Sequence, residues 1–442
     1  MSDKPRKFKG GVHPNDSKAL TSHKPIKQAP LLDAYKVIMH QNIGAPPELL
    51  VKKGDEVKKG QLLAKAGGFV SVPLHAPTSG TVKAIDKVPG PTGISVPCIE
   101  ITADGNDEWG SPFEPIADWR ATAPADLKQR VWDAGIVGMG GAGFPAHVKL
   151  SPPDGKKIDT LILNGAECEP YLTADHRLML ENAEDVVLGA AITARILGLD
   201  CAIIGVENNK LDAIEELNKV AAKYNVKVQG LPVNYPQGAE KQLIYAITGR
   251  EVPVGKLPMD VGCVVQNVAS AAAIADAVVK GIPSIERITT VTGKPVVDPG
   301  NWKLRIGTPI EKVLELAGGI KEQPAKLLLG GPMMGIAQSS LGVTVMKNTS
   351  GVLLIANDEV SQYTSEPCIR CGRCVDCCPM DILPATISQA VENKRFDWAE
   401  KLNVMACIEC GSCSYSCPSH RPLNQQFKRA KVEIQARLRK KG

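Results

Sequence analysis

Two cysteine-rich stretches dominate the sequence: CIRCGRCVDCCP at residues 368–379 and CIECGSCSYSCP at residues 407–418. Each has the spacing Cys-x2-Cys-x2-Cys-x3-Cys-Pro, in which three closely spaced thiolates bind one face of a four-iron cluster. The fourth thiolate of each cluster comes from a more distant part of the chain. Two such runs supply eight thiolates, and they therefore predict two 4Fe–4S clusters and one-electron transfer.

This spacing is the cysteine run of bacterial ferredoxins. In two-cluster proteins of that kind, the Cys that precedes Pro binds the cluster of the other run. The predicted ligands of the first cluster are Cys368, Cys371, Cys374 and Cys417, and those of the second are Cys407, Cys410, Cys413 and Cys378.

Structural zinc is the alternative for four cysteines, but zinc does not require this spacing, least of all twice. Cys377, beside Cys378, is interpreted as a spare buried thiol. Between the runs, residues 381–406 carry apolar residues at helical spacing and few helix breakers. This insert is longer than the loops of a compact ferredoxin. Residues 358–442 are therefore predicted to form a mainly α-helical dicluster ferredoxin domain with a basic tail.

Length and composition indicate a large soluble protein. A chain of 442 residues with 43% hydrophobic and 22% charged residues predicts three or more globular domains. Thirteen cysteines behind a charged, apolar-poor start do not describe a disulfide-bonded secreted protein. The most apolar stretch, residues 261–279, contains Gln, Asn, Ser and Asp, and does not predict a membrane span. We expect a chain without transmembrane segments.

Positive charge is concentrated at the two ends. Residues 1–30 contain seven Lys and Arg against two Asp, and residues 418–442 contain eight against one Glu. With 4% aromatic residues and no aromatic platform among the basic ones, nucleic-acid binding is not expected. These ends are interpreted as solvated tails. The alternative is docking to a membrane-bound partner or an anionic leaflet.

Two further regions have β patterns. Residues 31–105 alternate short apolar runs with Gly and Pro, and VKKGDEVKKGQLLAKA followed by HAPTSGTVKAI resembles the biotinyl/lipoyl family, a barrel-sandwich hybrid. Carriers of that family hold a modifiable Lys on the hairpin between these halves. Residues 67–74 contain no Lys, so a packing or docking domain is predicted rather than a carrier. Residues 286–357 predict short strands around one helix, which Thr308 and Pro309 would begin.

A glycine-rich loop, GMGGAGFPAHVK at residues 138–149, follows a predicted helix. It contains G-x-G-x-x-G, but a dinucleotide fingerprint should follow a strand. The glycines allow close approach of backbone N–H groups to a phosphate or a flat ring, and a plain tight loop is the alternative. Phe144 could stack on such a ring and Lys149 could face a phosphate.

The chain from residue 120 to residue 285 otherwise alternates strands and helices, which predicts a largely parallel sheet. Polar residues follow the predicted strand at residues 158–163, in NGAECEP (164–170), and others open helices in YPQGAE (235–240) and QN (266–267). Strand ends and helix starts are common ligand positions in such sheets. Glu167 and Glu169 could be acid–base residues, but hydride transfer requires none.

Together, GMGGAGFPAHVK, NGAECEPYLTAD, YPQGAEKQLIYAITGREVP and VGCVVQNVASA resemble the FMN- and NADH-binding core of the complex I flavoprotein superfamily. Within it, GGVHP at residues 10–14, the barrel-sandwich start and both cysteine runs resemble the C subunit of Rnf (Rsx) electron-transport complexes. Met139 stands where the complex I pattern has Arg. The resemblance, with the glycine loop, implies a cofactor site formed by Gly138, Gly140, Gly141, Gly143, Phe144, Lys149, Asn164, Glu167, Glu169, Tyr235, Gly238, Glu240 and Asn267.

In this resemblance, FMN binds the glycine loop, and Phe144, Glu167 and Glu169 lie around NAD(H). The implied architecture is multidomain α/β: a basic segment (1–30), a barrel-sandwich hybrid (31–105), a Rossmann-like FMN/NAD(H) domain (120–285), an SLBB β-grasp module (286–357) and the ferredoxin-type domain (358–442).

The implied function is that of a peripheral subunit on the cytoplasmic face of the membrane, with no catalytic side chain in the hydride step. In Rnf complexes, electrons pass from ferredoxin to NAD+ with Na+ or H+ translocation, and the other complex subunits are the partners. The alternatives are a cobalamin reductase of diol utilisation, against which the barrel-sandwich start argues, and a non-catalytic iron–sulfur relay subunit.

Overall fold

The computed structural model describes residues 5–110, 113–360 and 364–440. Residues 1–4 of the basic N-terminal segment and residues 441–442 of the basic tail lie outside the described residues. Within them the chain is mixed α/β, with four sheets followed by a helical C-terminal part. No helix in these ranges is long and apolar enough to cross a membrane.

The N-terminal segment is not a solvated tail, and that interpretation was wrong. Strand β1 (Ile26–Gln28) pairs in parallel with residues 301–303 of a sheet far along the chain. Earlier in the segment, Val12 pairs with Tyr235, and the N–H of Gly11 donates to the carbonyl of Cys377. The segment therefore runs across several modules, because its backbone groups find partners in each of them.

Residues 34–103 form two small antiparallel sheets that enclose a core of fully buried residues such as Leu63 and Ile99. The sheet orders are β2-β8-β7-β4 and β3-β5-β6. The strands are β2 (Ala34–Ile38), β3 (Glu48–Leu49), β4 (Glu56–Val57), β5 (Leu62–Lys65), β6 (Leu74–His75), β7 (Gly80–Pro89) and β8 (Ser95–Ala103).

The hairpin at residues 67–74, which lacks the carrier Lys, packs against the next module. The Phe69 ring meets Trp132 edge-on, and the Phe69 carbonyl lies 2.7 Å from Nε2 of His147. His147 is buried and stacked on Trp132, with ring centroids 4.4 Å apart. The position that presents a swinging arm in carrier proteins is thus occupied by an aromatic contact between modules.

The next module contains a parallel four-stranded sheet in the order β11-β10-β9-β12, with helices around it, as the alternating pattern predicted. Strand β9 is central, so the loop that follows it lies at the carboxyl edge of the sheet. The elements are α1 (Pro124–Asp133), α2 (Ala146–Lys149), β9 (Thr160–Gly165), α3 (Ala174–Glu181), α4 (Ala183–Leu197), β10 (Ala202–Glu207), α5 (Leu211–Ala221), β11 (Val226–Leu231), α6 (Glu240–Thr248), β12 (Cys263–Asn267) and α7 (Val268–Ala275).

Residues 286–355 form a six-stranded sheet with β1 at one edge, in the order β1-β14-β13-β17-β15-β16, and one helix. The predicted helix start was one residue early, because Pro309 holds the N-cap position and the Thr308 hydroxyl donates instead to Arg305. The elements are β13 (Glu286–Thr292), β14 (Gly300–Arg305), α8 (Ile310–Leu316), β15 (Lys326–Leu329), β16 (Ile336–Gln338) and β17 (Gly351–Ile355).

The C-terminal module is helical, as predicted, and the insert between the cysteine runs forms two helices. The basic tail is not a detachable extension, because the last helix buries Phe427, Ala430 and Ile434 in the module's core. The helices are α9 (Arg373–Asp376), α10 (Pro384–Glu392), α11 (Phe396–Lys401), α12 (Ser412–Tyr415) and α13 (Leu423–Arg439).

Candidate flavin and iron–sulfur sites

The glycine loop lies between α1 and α2, so a helix precedes it as the sequence predicted. The N–H of Gly138 donates to the carbonyl of Phe144 at 2.8 Å, and the N–H of Gly143 donates to the carbonyl of Gly138 at 3.1 Å. These bonds close the loop at its base. Beneath it, Met139 is buried, and its N–H donates to the Ser270 hydroxyl.

The tip of the loop is open. Gly140, Gly141 and Ala142 are exposed, and within the described ranges their N–H groups meet no protein acceptor. Gly141 has a φ of +117°, and a Cβ built there would meet nothing within 4 Å. A Cβ at Gly140 would lie 3.4 Å from Nδ2 of Asn267, so the Asn267 amide borders the tip. Unpaired N–H groups that face open space suit a phosphate or another anion.

Two amide side chains and one lysine line the floor below the loop. Nζ of Lys149 donates to Oε1 of Glu240 at 2.8 Å and to the carbonyl of Val265 at 3.0 Å. Nδ2 of Asn164 donates to the carbonyl of Gly238 at 2.8 Å. The structure thus brings together residues from β9, β12 and the start of α6, which the sequence had placed at strand ends and helix starts.

Asn267 is the N-cap of α7, since its Oδ1 accepts from the N–H of Ala269. Its Nδ2 donates to Oδ2 of Asp175 at 2.7 Å. Burial, with the neighbouring Glu167 carboxylate, raises the pKa of Asp175 to about 7. The wall of the site beside the glycine loop therefore contains a carboxyl group that changes protonation near neutral pH.

The carboxylate of Glu167 caps helix α3. Its Oε1 accepts from the N–H of Asp175 at 2.9 Å, and its Oε2 accepts from the N–H of His176 at 3.2 Å. Carboxylates are favoured at helix N-termini because they neutralise unpaired N–H groups there. His176 is itself buried and paired with Asp212. Neither histidine singled out in this module has the surroundings of a metal ligand.

Glu169 joins the flavin-side loop to the helical module. Its Oε2 accepts from the N–H of Met333 at 3.1 Å, and its Oε1 lies 3.2 Å from the Tyr235 hydroxyl. That hydroxyl lies 2.7 Å from the carbonyl of Cys410. Burial raises the pKa of Glu169 despite these donors. Met333 packs against the core of the helical module, so its prediction as a filler of its own small core was wrong.

The second predicted ligand set surrounds one cavity. Cys378, Cys407, Cys410 and Cys413 line it together with apolar residues that include Ile382 and Phe427. Burial raises the pKa of Cys407 to about 11, and the Cys410 and Cys378 thiols act in the same direction. A coordinated metal removes a thiol proton that burial alone would retain.

The first predicted set lies nearer the surface. Cys371 is exposed, Cys368 and Cys417 are half-buried, and Cys374 is buried. Burial raises the pKa of Cys374, and the nearby Cys417 and Cys368 thiols act in the same direction. The fourth cysteine of each run thus approaches the first three cysteines of the other run. Among the described residues, no three His, Cys, Asp or Glu side chains are placed to hold a single metal ion.

The two cysteine runs repeat the same local backbone. In each run a non-glycine residue with positive φ, Arg370 (57°) or Glu409 (60°), follows the first cysteine. The N–H of that residue points at the first cysteine's Sγ, at 3.4 Å from Cys368 and 3.3 Å from Cys407. A glycine in the left-handed region then begins α9 or α12. This repeat turns successive thiols toward one side.

Sequence reasoning missed several buried polar residues of this region. Lys18 binds the carbonyls of the loop after β9. Arg287 donates to the Met139 carbonyl, and burial lowers the pKa of Arg287 to about 10. Gln237 is 1% exposed, and its Nε2 has no hydrogen-bond partner among the described residues. Only Gln237 carried a sequence signal, since it lies in the YPQGAE segment, whereas the others come from distant parts of the chain.

Four family models match consecutive parts of the chain. They are the RnfC barrel sandwich hybrid domain (residues 6–106), the Nuo51 FMN-binding domain (131–276), the SLBB domain (288–337) and the 4Fe-4S dicluster domain (361–434). The matches follow the order of the sheets and the helical module described above.

Curated relatives match over most of the chain. The C subunit of the proton-translocating ferredoxin:NAD(+) oxidoreductase complex of Clostridium ljungdahlii is 50% identical over 87% of this chain and 84% of its own length. The C subunit of the Na(+)-translocating complex of Acetobacterium woodii is 44% identical over 100% of both chains. The C subunit of the ion-translocating oxidoreductase complex of Rhodobacter capsulatus is 43% identical over 98% of this chain and 84% of its own.

Solved structures share the fold at lower similarity. Two crystal structures of an NAD+-reducing NiFe-hydrogenase, in the H2-reduced and air-oxidized states, match with TM-scores of 0.52 and 0.51. Their sequence identities are 19% and 21%, over 72% and 70% of this chain. This chain spans just under two thirds of theirs, 65% and 63%.

Proposed function

Because the chain belongs to the family formed by the C subunits of ion-translocating ferredoxin:NAD+ oxidoreductase (Rnf) complexes, we propose that it is the subunit at which NAD(H) exchanges hydride with FMN and two 4Fe–4S clusters exchange single electrons. In the complex, electrons pass from ferredoxin to NAD+, coupled to Na+ or H+ translocation. The chain is a peripheral subunit on the cytoplasmic face of the membrane, held there by the other subunits.

The observation that carries this proposal is the shared wall between the two sites. Tyr235 and Glu169 belong to loops at the carboxyl edge of the parallel sheet, and both contact the second cysteine set through Cys410. A nicotinamide cannot release electrons singly and an iron–sulfur cluster cannot accept a hydride, whereas bound FMN can do both. One chain that holds both sites side by side therefore suits a converter between two-electron and one-electron carriers.

The residues present fit a flavin phosphate and ring. The open N–H groups of Gly140, Gly141 and Ala142 would bind the phosphate, as unpaired N–H groups in glycine loops do. Lys149 would supply positive charge nearby, and the unpartnered Nε2 of Gln237 is a donor buried in the same region.

Amide groups of Asn164 and Asn267 would orient the flavin, and Gly143, Tyr235, Gly238 and Glu240 complete the walls. Phe144, Glu167 and Glu169 are proposed to lie beside the nicotinamide nucleotide. Since both carboxylates already accept protein N–H or O–H donors, we propose that they act chiefly by shaping this loop and by their negative field.

Anaerobic reconstitution tests the proposal. About one FMN and about eight iron atoms per chain are expected, the iron following from two four-iron clusters. NADH should bleach the flavin absorption band. Iron without flavin would instead support a relay subunit, and flavin that NADH does not reduce would exclude the NAD(H) assignment.

A cobalamin reductase remains the alternative enzyme, and the same preparation distinguishes it. A cobalamin reductase would transfer electrons from NADH to added cob(III)alamin with a rate that exceeds its rate with oxidised ferredoxin-type acceptors. The match of residues 6–106 to the RnfC barrel sandwich hybrid domain favours the Rnf assignment.

A further inference from the structure

Lys18, from the N-terminal segment, lies under the loop that follows β9. Its side chain is buried, at 7% exposure for the residue. Nζ donates to the carbonyl oxygens of Glu167 at 2.9 Å and Glu169 at 3.0 Å, and also to that of Leu172. An ammonium has three N–H donors, so this group of carbonyls uses all of them.

These contacts make the ammonium a centre around which the loop is folded. Three carbonyl oxygens that converge on one point would repel one another without a cation or donors between them. Burial lowers the pKa of Lys18, and the Glu167 carboxylate opposes this by favouring the charged form. The Glu167 side chain therefore both depends on the loop that Lys18 holds and helps to keep that lysine charged.

Neighbouring residues of the same segment strengthen the attachment. The Asp16 carbonyl accepts from the N–H of Tyr171 at 2.7 Å, and the Thr21 and Thr173 hydroxyls lie 2.7 Å apart. Residues 16–21 thus follow the whole loop from one side. None of these contacts reaches the glycine loop at residues 138–143, which lies on a different part of the site.

We propose that Lys18 is a positioning residue for hydride transfer: its ammonium fixes the backbone of residues 167–172 and so the placement of the Glu167 and Glu169 carboxylates beside the nicotinamide nucleotide. The inference rests on the proposed NAD(H) function of that loop. It adds a residue from the far N-terminus, outside every motif that suggested the site.

The test uses the full-length reconstituted protein and the variant Lys18→Ala. The KM for NADH in dye reduction should rise about tenfold while kcat changes less than about threefold, because lost positioning weakens nucleotide binding. FMN content should match the unsubstituted protein, since the glycine loop is untouched. Lys24→Ala is the matched control: Lys24, in the same segment, binds Asp298 and the Pro299 carbonyl, and its loss should leave KM unchanged.

Chemical rescue separates positioning from a general packing defect. Propylammonium replaces the atoms that Lys18→Ala removes, and it should restore the KM for NADH. Tetramethylammonium has no N–H donor and should not restore it. Lys18→Met keeps the side-chain bulk without the charge, and should show the raised KM with no rescue by either ion.

Amide hydrogen exchange gives a readout that does not require turnover. In Lys18→Ala, the N–H groups of Asp175 and His176, which donate to Glu167, should exchange faster, and propylammonium should slow them again. Unchanged exchange, or faster exchange with an unchanged KM, would overturn the inference. If the unsubstituted protein bound FMN that NADH could not reduce, the proposed function would fail, and exchange alone would decide whether Lys18 fixes the loop.

Discussion

The Tyr235 hydroxyl donates a hydrogen bond of 2.7 Å to the backbone carbonyl of Cys410. Tyr235 belongs to the flavin-binding module, and Cys410 is a predicted ligand of the second cluster. On the other side of the same residues, Val12 pairs with Tyr235, and Gly11 donates to the carbonyl of Cys377. The two redox sites are therefore joined through backbone groups on both sides of the contact, and this connection fixes the distance between them.

Replacement of Tyr235 by Phe tests this junction. It removes the donor to a buried carbonyl, which should cost about 1–3 kcal/mol of stability. We expect FMN to be retained, the second cluster to be lost more readily, and flavin-to-cluster electron transfer to slow in stopped-flow experiments. Tyr224→Phe is the control, because the Tyr224 hydroxyl binds Glu184 on a distant surface. Equal cluster retention in the two variants would contradict the proposed role of the Tyr235 hydroxyl.

The two cluster sites can be separated by substitution. Cys413→Ser should remove the buried second cluster, and Cys371→Ser the surface-near first cluster, so that each variant retains about four iron atoms per chain. Because only the second set contacts the flavin-side loops, Cys413→Ser should abolish rapid electron transfer from reduced flavin, whereas Cys371→Ser should leave its first step intact. Electron paramagnetic resonance of the NADH-reduced proteins measures both effects.

A suitable control is Cys98→Ser, since Cys98 is buried in the first β module, far from either set. It should retain about eight iron atoms. Loss of all iron in both ligand variants would mean that the two clusters assemble as one unit, and the separate assignment would then need revision.

The cysteine runs and the parallel sheet could be predicted because their signals are local. Spacing places thiols on one backbone repeat, and alternating strands and helices predict the parallel sheet of an α/β module. The N-terminal segment could not be predicted in this way. Its strand β1 pairs with residues 301–303, and Lys18 binds carbonyls about 150 positions later. Such contacts use backbone groups, which carry no residue-specific pattern.

The same reasoning explains the errors at the two tails. A high density of Lys and Arg predicts solvent exposure, but a lysine can be buried where carbonyls satisfy its donors, as Lys18 is. Likewise α13 is basic on one side and apolar on the other. Its buried residues recur at positions 423, 427, 430 and 434, which is helical spacing. That periodicity was present in the sequence and outweighs the charge count.

Lys347 predicts a pH dependence of stability. It is buried where three modules meet, and Nζ donates to the carbonyls of Pro73 at 3.0 Å and Gly135 at 2.6 Å. Burial lowers the pKa of Lys347 from 10.5 to about 7. Between these two values the unfolded chain binds more protons than the folded chain, so the free energy of unfolding should rise with pH across that window.

Lys347→Met removes this linkage. The difference in melting temperature between the variant and the unsubstituted protein should therefore change between pH 7 and pH 10, with the unsubstituted protein gaining relative stability as pH rises. Lys65→Met, at an exposed lysine, should show a constant difference. A constant difference for Lys347→Met as well would mean that its ammonium stays charged in the folded protein.

The basic helix α13 remains a candidate for docking to the membrane or to a membrane subunit. Deletion of residues 428–442 cannot test this, because it would also remove the buried Ala430 and Ile434. The exposed residues Arg429, Arg439 and Lys440 can be changed to Glu without loss of core contacts.

Each basic residue near an anionic surface contributes about 1 kcal/mol, so the triple reversal should release most of the subunit from washed membranes at low salt. The unsubstituted subunit should dissociate only as ionic strength rises, since screening weakens the same attraction. Reversal of the exposed Lys52 and Lys53 on the first β module controls for net charge. If the triple variant and this control stay bound alike, α13 is not the docking element, and the attachment must lie on another module.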